Sequence, residues 1–263
     1  MIAADSLYKG FRFPEEIISH AVWLYYRFLL SLRDVQELLL ERGVVVSHET
    51  IRAWCERLGP DYARRLRSRR PRPGDRWHLD EVFVKINGKQ HYLWRAVDQH
   101  GMTLGIMASR HRDARAASKF LRKLLKTEQY VPRVLVTDKL RSYGAAQRVV
   151  MSSVEHRSHK RLNNRVENSH QRTRSREQAM RRFTSPGHAQ RFCSAHDKIY
   201  VHFRPPRQRL GADAHRATLS ERHDAWNDIT AGLLDRAAAA RRRQYQPSKV
   251  DHPTLDHACS PTT

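Results

Sequence analysis

The spacing of hydrophobic residues changes once along the chain, near residue 73. Before that point, apolar residues recur at intervals of three and four positions, the repeat of an amphipathic helix. Beyond it, short runs rich in β-branched and aromatic residues alternate with turn-forming residues, which is typical of strands. The change predicts an all-α N-terminal part followed by an α/β part.

The N-terminal part is predicted to contain three helices. A helical apolar pattern begins at Pro14 and continues to about Phe28. Ser31 begins a second helix that ends at Gly43, because glycine suits the left-handed residue that follows a helix. Ser47 is a favourable N-cap for a third helix. Two helices joined by a short connection containing glycine are typical of a helix-turn-helix, and an ordinary three-helix bundle is the alternative.

Polar residues near the start of the third predicted helix are candidates for DNA contact. In a helix-turn-helix, the later helix enters the major groove with its N-terminal residues against the bases. His48, Glu49 and Arg52 occupy that part of the helix. We therefore expect these three residues to bind DNA.

A basic segment separates the two parts of the chain. Six arginines lie between residues 64 and 72, together with proline. This composition predicts a linker over residues 64–74 in which Arg64 and Arg65 contact DNA phosphates. The helix-turn-helix domain is then expected over residues 1–63.

The second part is predicted to be an α/β domain. Three strand patterns are separated by turns, the first at Asn87-Gly88, which predicts three antiparallel strands. An amphipathic helix, a short apolar strand, a short helix, another short strand and a long helix follow. The order βββαβαβα is that of RNase H-like domains with a mixed five-stranded sheet. We expect this catalytic domain over residues 75–235, and a basic, disordered tail over residues 236–263.

Three carboxylates are predicted to converge in this fold. Asp80 falls on the first strand, Asp138 at the end of the fourth, and Glu167 in the first turn of the long helix. Phosphoryl transfer by two divalent ions needs acidic oxygens around both ions. Mg²⁺ fits such a site because it is held by a few carboxylates together with water and phosphate. The sequence therefore predicts two Mg²⁺ ions, with Mn²⁺ able to replace them.

Each carboxylate also has an alternative role that needs no metal. Asp80 could cap a strand end. Its neighbour Glu81 is expected to point to the opposite face, because side chains alternate along a strand, so only one of the two can face the site. Asp80 shares its face with apolar neighbours, where a lone charge would need a partner. Asp138 could form a turn. Glu167 follows Asn164 by three positions, which is a pattern resembling a capping box.

Charge and composition predict the class of binding partner and the cellular compartment. The net charge of +22 predicts a polyanionic partner, and double-stranded DNA is the expected one. Three separated cysteines support neither a disulfide framework nor a zinc site. No apolar run approaches the roughly 18 residues of a membrane span. We expect a soluble, intracellular protein without a membrane partner.

Three blocks of the sequence carry a resemblance to a known family: WHLDEVFVKINGKQHYLWRAVDQHG, TDKLRSYGAA and EHRSHKRLNNRVENSHQRTRSREQAMRRF. Together they resemble the IS6-type DDE transposases of bacterial insertion sequences, which belong to the RNase H-like integrase superfamily. The resemblance implies a helix-turn-helix, Mg²⁺ dependence and strand transfer at element ends. It matches Asp80, Asp138 and Glu167 to the catalytic acidic triad. Family members often carry a basic residue, commonly lysine, seven positions after the glutamate, and Arg174 stands there in this chain.

The expected function is therefore that of a DNA transposase. The protein would bind the terminal inverted repeats of its element, cut the DNA and join the 3′ ends to a target. Two ends must be handled together, so at least a homodimer is expected. The alternatives are a catalytically inactive DNA-binding regulator or relic of the same fold, and a structure-specific nuclease.

Overall fold

The computed structural model describes residues 7–158, 164–180, 182–204 and 210–231. Within these ranges, the side chains of residues 164–169 and of Arg172 lie outside the description. The predicted tail over residues 236–263 also lies outside the described residues. None of the helices in the described ranges has the length and apolar character needed to cross a bilayer.

The N-terminal part forms the three predicted helices, α1 (Glu15–Arg27), α2 (Leu32–Leu40) and α3 (His48–Ser68). Ser31 begins α2 through a capping box. The Ser31 hydroxyl accepts a hydrogen bond from the backbone N–H of Asp34, and the Asp34 carboxylate accepts one from the backbone N–H of Ser31. Ser47 is the N-cap of α3, where its hydroxyl accepts from the backbone N–H of Thr50. Gly43 adopts a left-handed φ of 75° between the two helices.

Helix α3 is longer than predicted. It continues through Ser68, so the prediction of a linker is wrong for residues 64–68. The apolar spacing of four persists in Leu58, Tyr62 and Leu66, all of which are buried. Arginine is a good helix former, so the arginines between these positions extend α3 and do not end it.

The second part has the predicted order of strands and helices. Its elements are β1 (Arg76–Ile86), β2 (Lys89–Asp98), β3 (Thr103–Ser109), α4 (Ala114–Glu128), β4 (Val134–Thr137), α5 (Arg141–Val150), β5 (Glu155–Ser158) and α6 (Asn164–Ala179). The sheet order is β3-β2-β1-β4-β5. β1, β2 and β3 are antiparallel neighbours, whereas β4 runs parallel to β1 and to β5. The predicted RNase H-like fold is confirmed.

Two further helices, α7 (Pro186–His202) and α8 (Ala212–Thr230), were not predicted. Helix α7 begins with the signals that usually mark a helix start, since Ser185 is its N-cap and Pro186 its first residue. Its buried face includes His196 and Asp197, which interrupt the apolar periodicity. Polar residues at buried positions hide a helix from a search for hydrophobic pattern.

The core has two parts, one on each face of the sheet. On one face, Trp77, Leu79 and Trp94 pack with α4 and α5. On the other face, Val82 and Val84 of β1 belong to one apolar cluster with α1, α2, α3, α7 and α8. The N-terminal helices and the sheet therefore share a continuous core.

Candidate active site

The site forms where β1 runs past the end of β4. His78 of β1 is opposite Val136 of β4 in the parallel register. β4 ends at Thr137, so Asp80 and Asp138 each lie two residues beyond that pair. Residues at the carboxyl end of a parallel strand commonly bind ligands in α/β sheets. The strand order therefore places the first two predicted carboxylates at one level of the sheet.

Three carboxylates meet at this edge. Asp80, Glu81 and Asp138 each offer an oxygen atom, and these three atoms all lie within 4.8 Å of one another. Their side chains differ in exposure, because Asp138 is 29 % exposed, Asp80 16 % and Glu81 only 1 %. Carboxylate oxygens are the ligands that Mg²⁺ prefers in proteins. Two of the predicted triad are thus brought together, and Glu81 joins them.

Glu81 reaches the cluster from the opposite face of β1, so the expectation that only one of Asp80 and Glu81 can face the site is wrong. Its two carboxylate oxygens accept hydrogen bonds from Arg112 at 2.5 Å and from the Tyr143 hydroxyl at 2.6 Å. Among the described residues, β1 pairs with β4 only as far as His78. Carboxylates on both faces of β1 can therefore approach each other beyond the last β4 pair.

The charge on Glu81 is only partly compensated. Burial raises the pKa of Glu81, the hydrogen bonds from Tyr143 and Arg112 lower it, and the nearby Asp138 raises it further. Arg112 also lies 3.7 Å from Asp138. This arginine stands in the connection between β3 and α4, where no sequence motif indicated a role.

His170 of α6 contacts Asp80. Its side chain is 7 % exposed, and its Nε2 lies 3.2 Å from Asp80 Oδ2. The two atoms lack hydrogen-bond alignment, so the contact is a close polar approach. Burial lowers the pKa of His170, and the contact with Asp80 opposes that shift. His170 follows Glu167 by three positions, a spacing that places both on one face of a helix.

Glu167 lies in the first turn of α6, as predicted. Helix α6 packs against β1 and β2. The side chain of Glu167 lies outside the described residues, so both the metal-ligand role and the capping role stay predictions. Arg174, further along α6, is exposed, and its guanidinium carbon lies 5.9 Å from the centre of the Phe83 ring on β1.

The predicted base-reading residues lie together in the first two turns of α3. Glu49 and Arg52 are exposed and paired, with 3.0 Å between Arg52 Nε and a Glu49 oxygen. His48 Nε2 lies 3.2 Å from Glu49. The backbone N–H of His48 donates to Gln36 of α2 at 2.8 Å, which fixes the start of α3 against α2. Their contact with DNA remains a prediction.

The two arginines predicted to bind phosphate have different surroundings. Arg64 is exposed and pairs with Asp61 one turn earlier. Arg65 donates to the backbone carbonyl of Ile229 at 2.7 Å and so joins α3 to α8. A phosphate contact by Arg65 would have to compete with this bond, whereas Arg64 has only a weak surface pair to give up.

A buried ion pair beneath α6 had no sequence signal. Arg95 of β2 and Asp197 of α7 are 1 % and 5 % exposed, and their nearest charged atoms lie 2.9 Å apart. Thr103 donates to Asp197 at 3.3 Å, and Arg95 donates to Thr173 of α6. The pair joins residues distant in sequence, so only the folded chain reveals it.

Comparison with known proteins gives one family. A family model described as a DDE domain matches residues 74–205. The transposase for insertion sequence-like element IS431mec of Staphylococcus aureus is 31% identical over 204 residues, covering 76% of this chain and 89% of that protein. The transposase for insertion sequence element IS257 in transposon Tn4003, also from Staphylococcus aureus, has the same identity and coverage.

Solved structures show weaker likeness. The HTLV-2 integrase catalytic core domain in complex with magnesium, in its dimeric form, is 17% identical with a TM-score of 0.32, covering 38% of this chain and 67% of that one. The simian T-cell lymphotropic virus intasome in complex with PP2A regulatory subunit B56 gamma is 12% identical with a TM-score of 0.39, covering 86% and 76%. The fold assignment rests on the sheet order described above.

Proposed function

Because the chain belongs to the IS6-type DDE transposases of insertion sequences, we propose that it binds the terminal inverted repeats of its own element and catalyses metal-dependent DNA cleavage and strand transfer. The observation that carries the proposal is the approach of carboxylate oxygens from Asp80, Glu81 and Asp138 to within 4.8 Å of one another. Three negative groups this close repel each other unless cations or protons compensate them.

The donor set suits Mg²⁺. Asp80 and Asp138 would hold the metal together with Glu167, which lies in the first turn of α6, the helix packed across β1. Two bound Mg²⁺ ions, or Mn²⁺ in their place, supply activation of the attacking hydroxyl and stabilisation of the leaving oxygen. No protein nucleophile is needed, because water and then the DNA 3′-hydroxyl provide the attacking oxygens.

Glu81 is assigned a supporting role. Both of its oxygens already accept hydrogen bonds, one from Arg112 and one from Tyr143. A metal would have to displace one of these donors from a side chain that is almost fully buried. Asp80 and Asp138 are more exposed, and the hydrogen bond that Asp138 accepts from the Leu140 N–H at 3.0 Å occupies only its Oδ1.

DNA binding is assigned to the basic surface. His48, Glu49 and Arg52 would read the element ends, while Arg64 and Arg174 are exposed and available to phosphates. Arg65 would contribute less because it also holds α8. The net charge of +22 supports a polyanionic partner. Joining two ends requires at least a homodimer on DNA.

One observation favours the inactive-regulator alternative. Arg112 already places a positive charge against Glu81 and 3.7 Å from Asp138. That cation lowers the repulsion that would otherwise draw a metal to the cluster. A protein that bound element ends with the arginine in place of metal would regulate without cutting.

The deciding experiment is a cleavage and joining assay with the full chain. Labelled duplexes that carry an element end are incubated with target DNA in Mg²⁺, in Mn²⁺ and in EDTA. We expect metal-dependent nicking and a joined product, both lost in Asp80→Asn and Asp138→Asn. Binding without any metal-dependent product would favour the regulator, and nicking without joining would favour a nuclease.

A further inference from the structure

Helix α6 is held in place by polar residues at a spacing of three. His170, Thr173 and Arg176 are 5 %, 2 % and 1 % exposed, and the spacing places them along one side of the helix. Each contacts a different part of the molecule. His170 approaches Asp80, Thr173 accepts from Arg95, and Arg176 reaches the N-terminal helices.

Arg176 makes the longest of these connections. Its Nη1 donates to the backbone carbonyls of Phe28 at 3.2 Å and Leu30 at 2.7 Å, which form the turn between α1 and α2. Its guanidinium carbon lies 4.0 Å from the centre of the Tyr25 ring on α1. A single side chain thus joins the active-site helix to the N-terminal helices.

Stability alone does not account for an arginine at this position. Within the described part of the chain, its Nε and Nη2 have no acceptor at hydrogen-bonding geometry. A buried cation with unused donors pays a desolvation penalty, so an apolar side chain of similar volume would stabilise the fold at least as well. What arginine adds is direction, because its planar group fixes several donors in a rigid fork.

We propose that Arg176 is a positioning residue, which locks α6 to the α1–α2 turn and thereby fixes where Glu167 stands relative to Asp80 and to bound element ends. This rests on the proposed function insofar as Glu167 acts in the site. At 1.5 Å per residue, Glu167 lies on the order of 13 Å along the helix from Arg176. Over that length, a tilt of about 5° moves the far end by about 1 Å, a misplacement that can reduce a reaction rate by about 100-fold.

The test compares two substitutions in the full-length protein. Arg176→Met keeps the length and packing of the side chain but removes its donors. Arg67→Met is the matched control, because Arg67 of α3 also donates to a backbone carbonyl across the fold, that of Thr127 at 3.0 Å, which belongs to α4 and not to the α1–α2 turn. Hydrogen exchange of the α6 amides, end-DNA affinity and the rate and position of cleavage at saturating end DNA are measured for each.

We expect Arg176→Met to raise the exchange rate of α6 amides at least about 10-fold and to leave the end-DNA Kd within about 3-fold. Cleavage at saturation should fall about 100-fold and spread over neighbouring phosphates. Arg176→Lys, which keeps a charged donor, should recover part of the loss. Arg67→Met should match the wild type in α6 exchange and in cleavage position.

Unchanged hydrogen exchange of the α6 amides in Arg176→Met would overturn the proposal. Equal effects of Arg176→Met and Arg67→Met would also overturn it, because they would indicate a general loosening of the fold. If Arg176→Met does not fold, Arg176→Gln is judged by the same exchange criterion. A wild-type protein without metal-dependent cleavage would refute the proposed function, and the exchange measurement would still decide the role of Arg176.

Discussion

Exchanging neighbouring carboxylates for amides gives the sharpest test of the site. Asp80→Asn and Glu81→Gln remove one charge each from adjacent residues of the same cluster and change almost no volume. Burial raises the pKa of Glu81, so its charge is a net cost in the folded protein and a neutral isostere should lose little stability. We expect the free energy of unfolding of both variants to lie within about 1 kcal/mol of the wild-type value.

The predicted effects on catalysis differ by two orders of magnitude. Metal catalysis contributes several kcal/mol, and loss of about 4 kcal/mol corresponds to a rate reduction of about 10³ for Asp80→Asn. Glu81 acts through Arg112 and Tyr143, and disturbing such a supporting group is expected to reduce the rate about 10-fold. The single-turnover rate of end cleavage at saturating DNA and Mg²⁺ measures both.

The outcome can refute this assignment directly. A Glu81→Gln protein as inactive as Asp80→Asn, with unchanged thermal stability and end binding, would make Glu81 a ligand and not a support. An active Asp80→Asn protein would remove Asp80 from the site. Titration of Mn²⁺ into each variant supplies an independent readout, since only Asp80→Asn should lose metal affinity strongly.

The remaining predictions concern the other parts of the molecule. Glu167→Gln should abolish strand transfer with normal thermal stability, because glutamine also serves in a capping box; a loss of stability equal to the loss of activity would favour capping. Arg52→Ala should relax preference for element ends by about 1–3 kcal/mol in competition binding, whereas Arg122→Ala on the exposed side of α4 should not. Asp197→Asn should destabilise the fold by about 3–5 kcal/mol in urea unfolding, and Arg95→Met combined with Asp197→Leu should recover most of it. The raised pKa of Glu81 means that the folded state binds the Glu81 proton more tightly than the unfolded state does. The stability of the wild type relative to Glu81→Gln should therefore decline as the pH rises from the ordinary pKa of 4.5 through the folded pKa. A difference in thermal unfolding that does not depend on pH would contradict this.

Local chemistry made much of the fold predictable. Ser31 and Ser47 satisfy exposed helix N–H groups whatever surrounds them, so these helix starts could be predicted from sequence. Asn87 and Gly88 adopt left-handed φ angles of 50° and 73°, which few other residue pairs accept. The alternation along β1 similarly indicated that Asp80 shares a face with Val82.

The unpredicted features depend on contacts between distant residues. The arginine-rich composition predicts a linker from residue 64, whereas buried Leu66 continues the helical repeat of α3. The place of Glu81 in the carboxylate cluster depends on how far β4 extends beside β1, and no local sequence pattern specifies that pairing. Arg95 and Asp197 find each other only after the sheet and α7 have packed.

The shared core beneath the sheet also constrains how such an element can evolve. Proteins whose DNA-binding and catalytic units are separate modules can acquire a new target by exchanging one module. Here α7 packs against both α3 and β3, so removing or replacing the N-terminal helices exposes one side of the apolar cluster that also contains Val82 and Val84. We therefore expect end specificity to change through substitutions on the exposed side of α3. A gene copy that lacks the N-terminal helices but keeps the strands should yield a chain that aggregates. It should not yield a free catalytic domain that interferes with the intact protein.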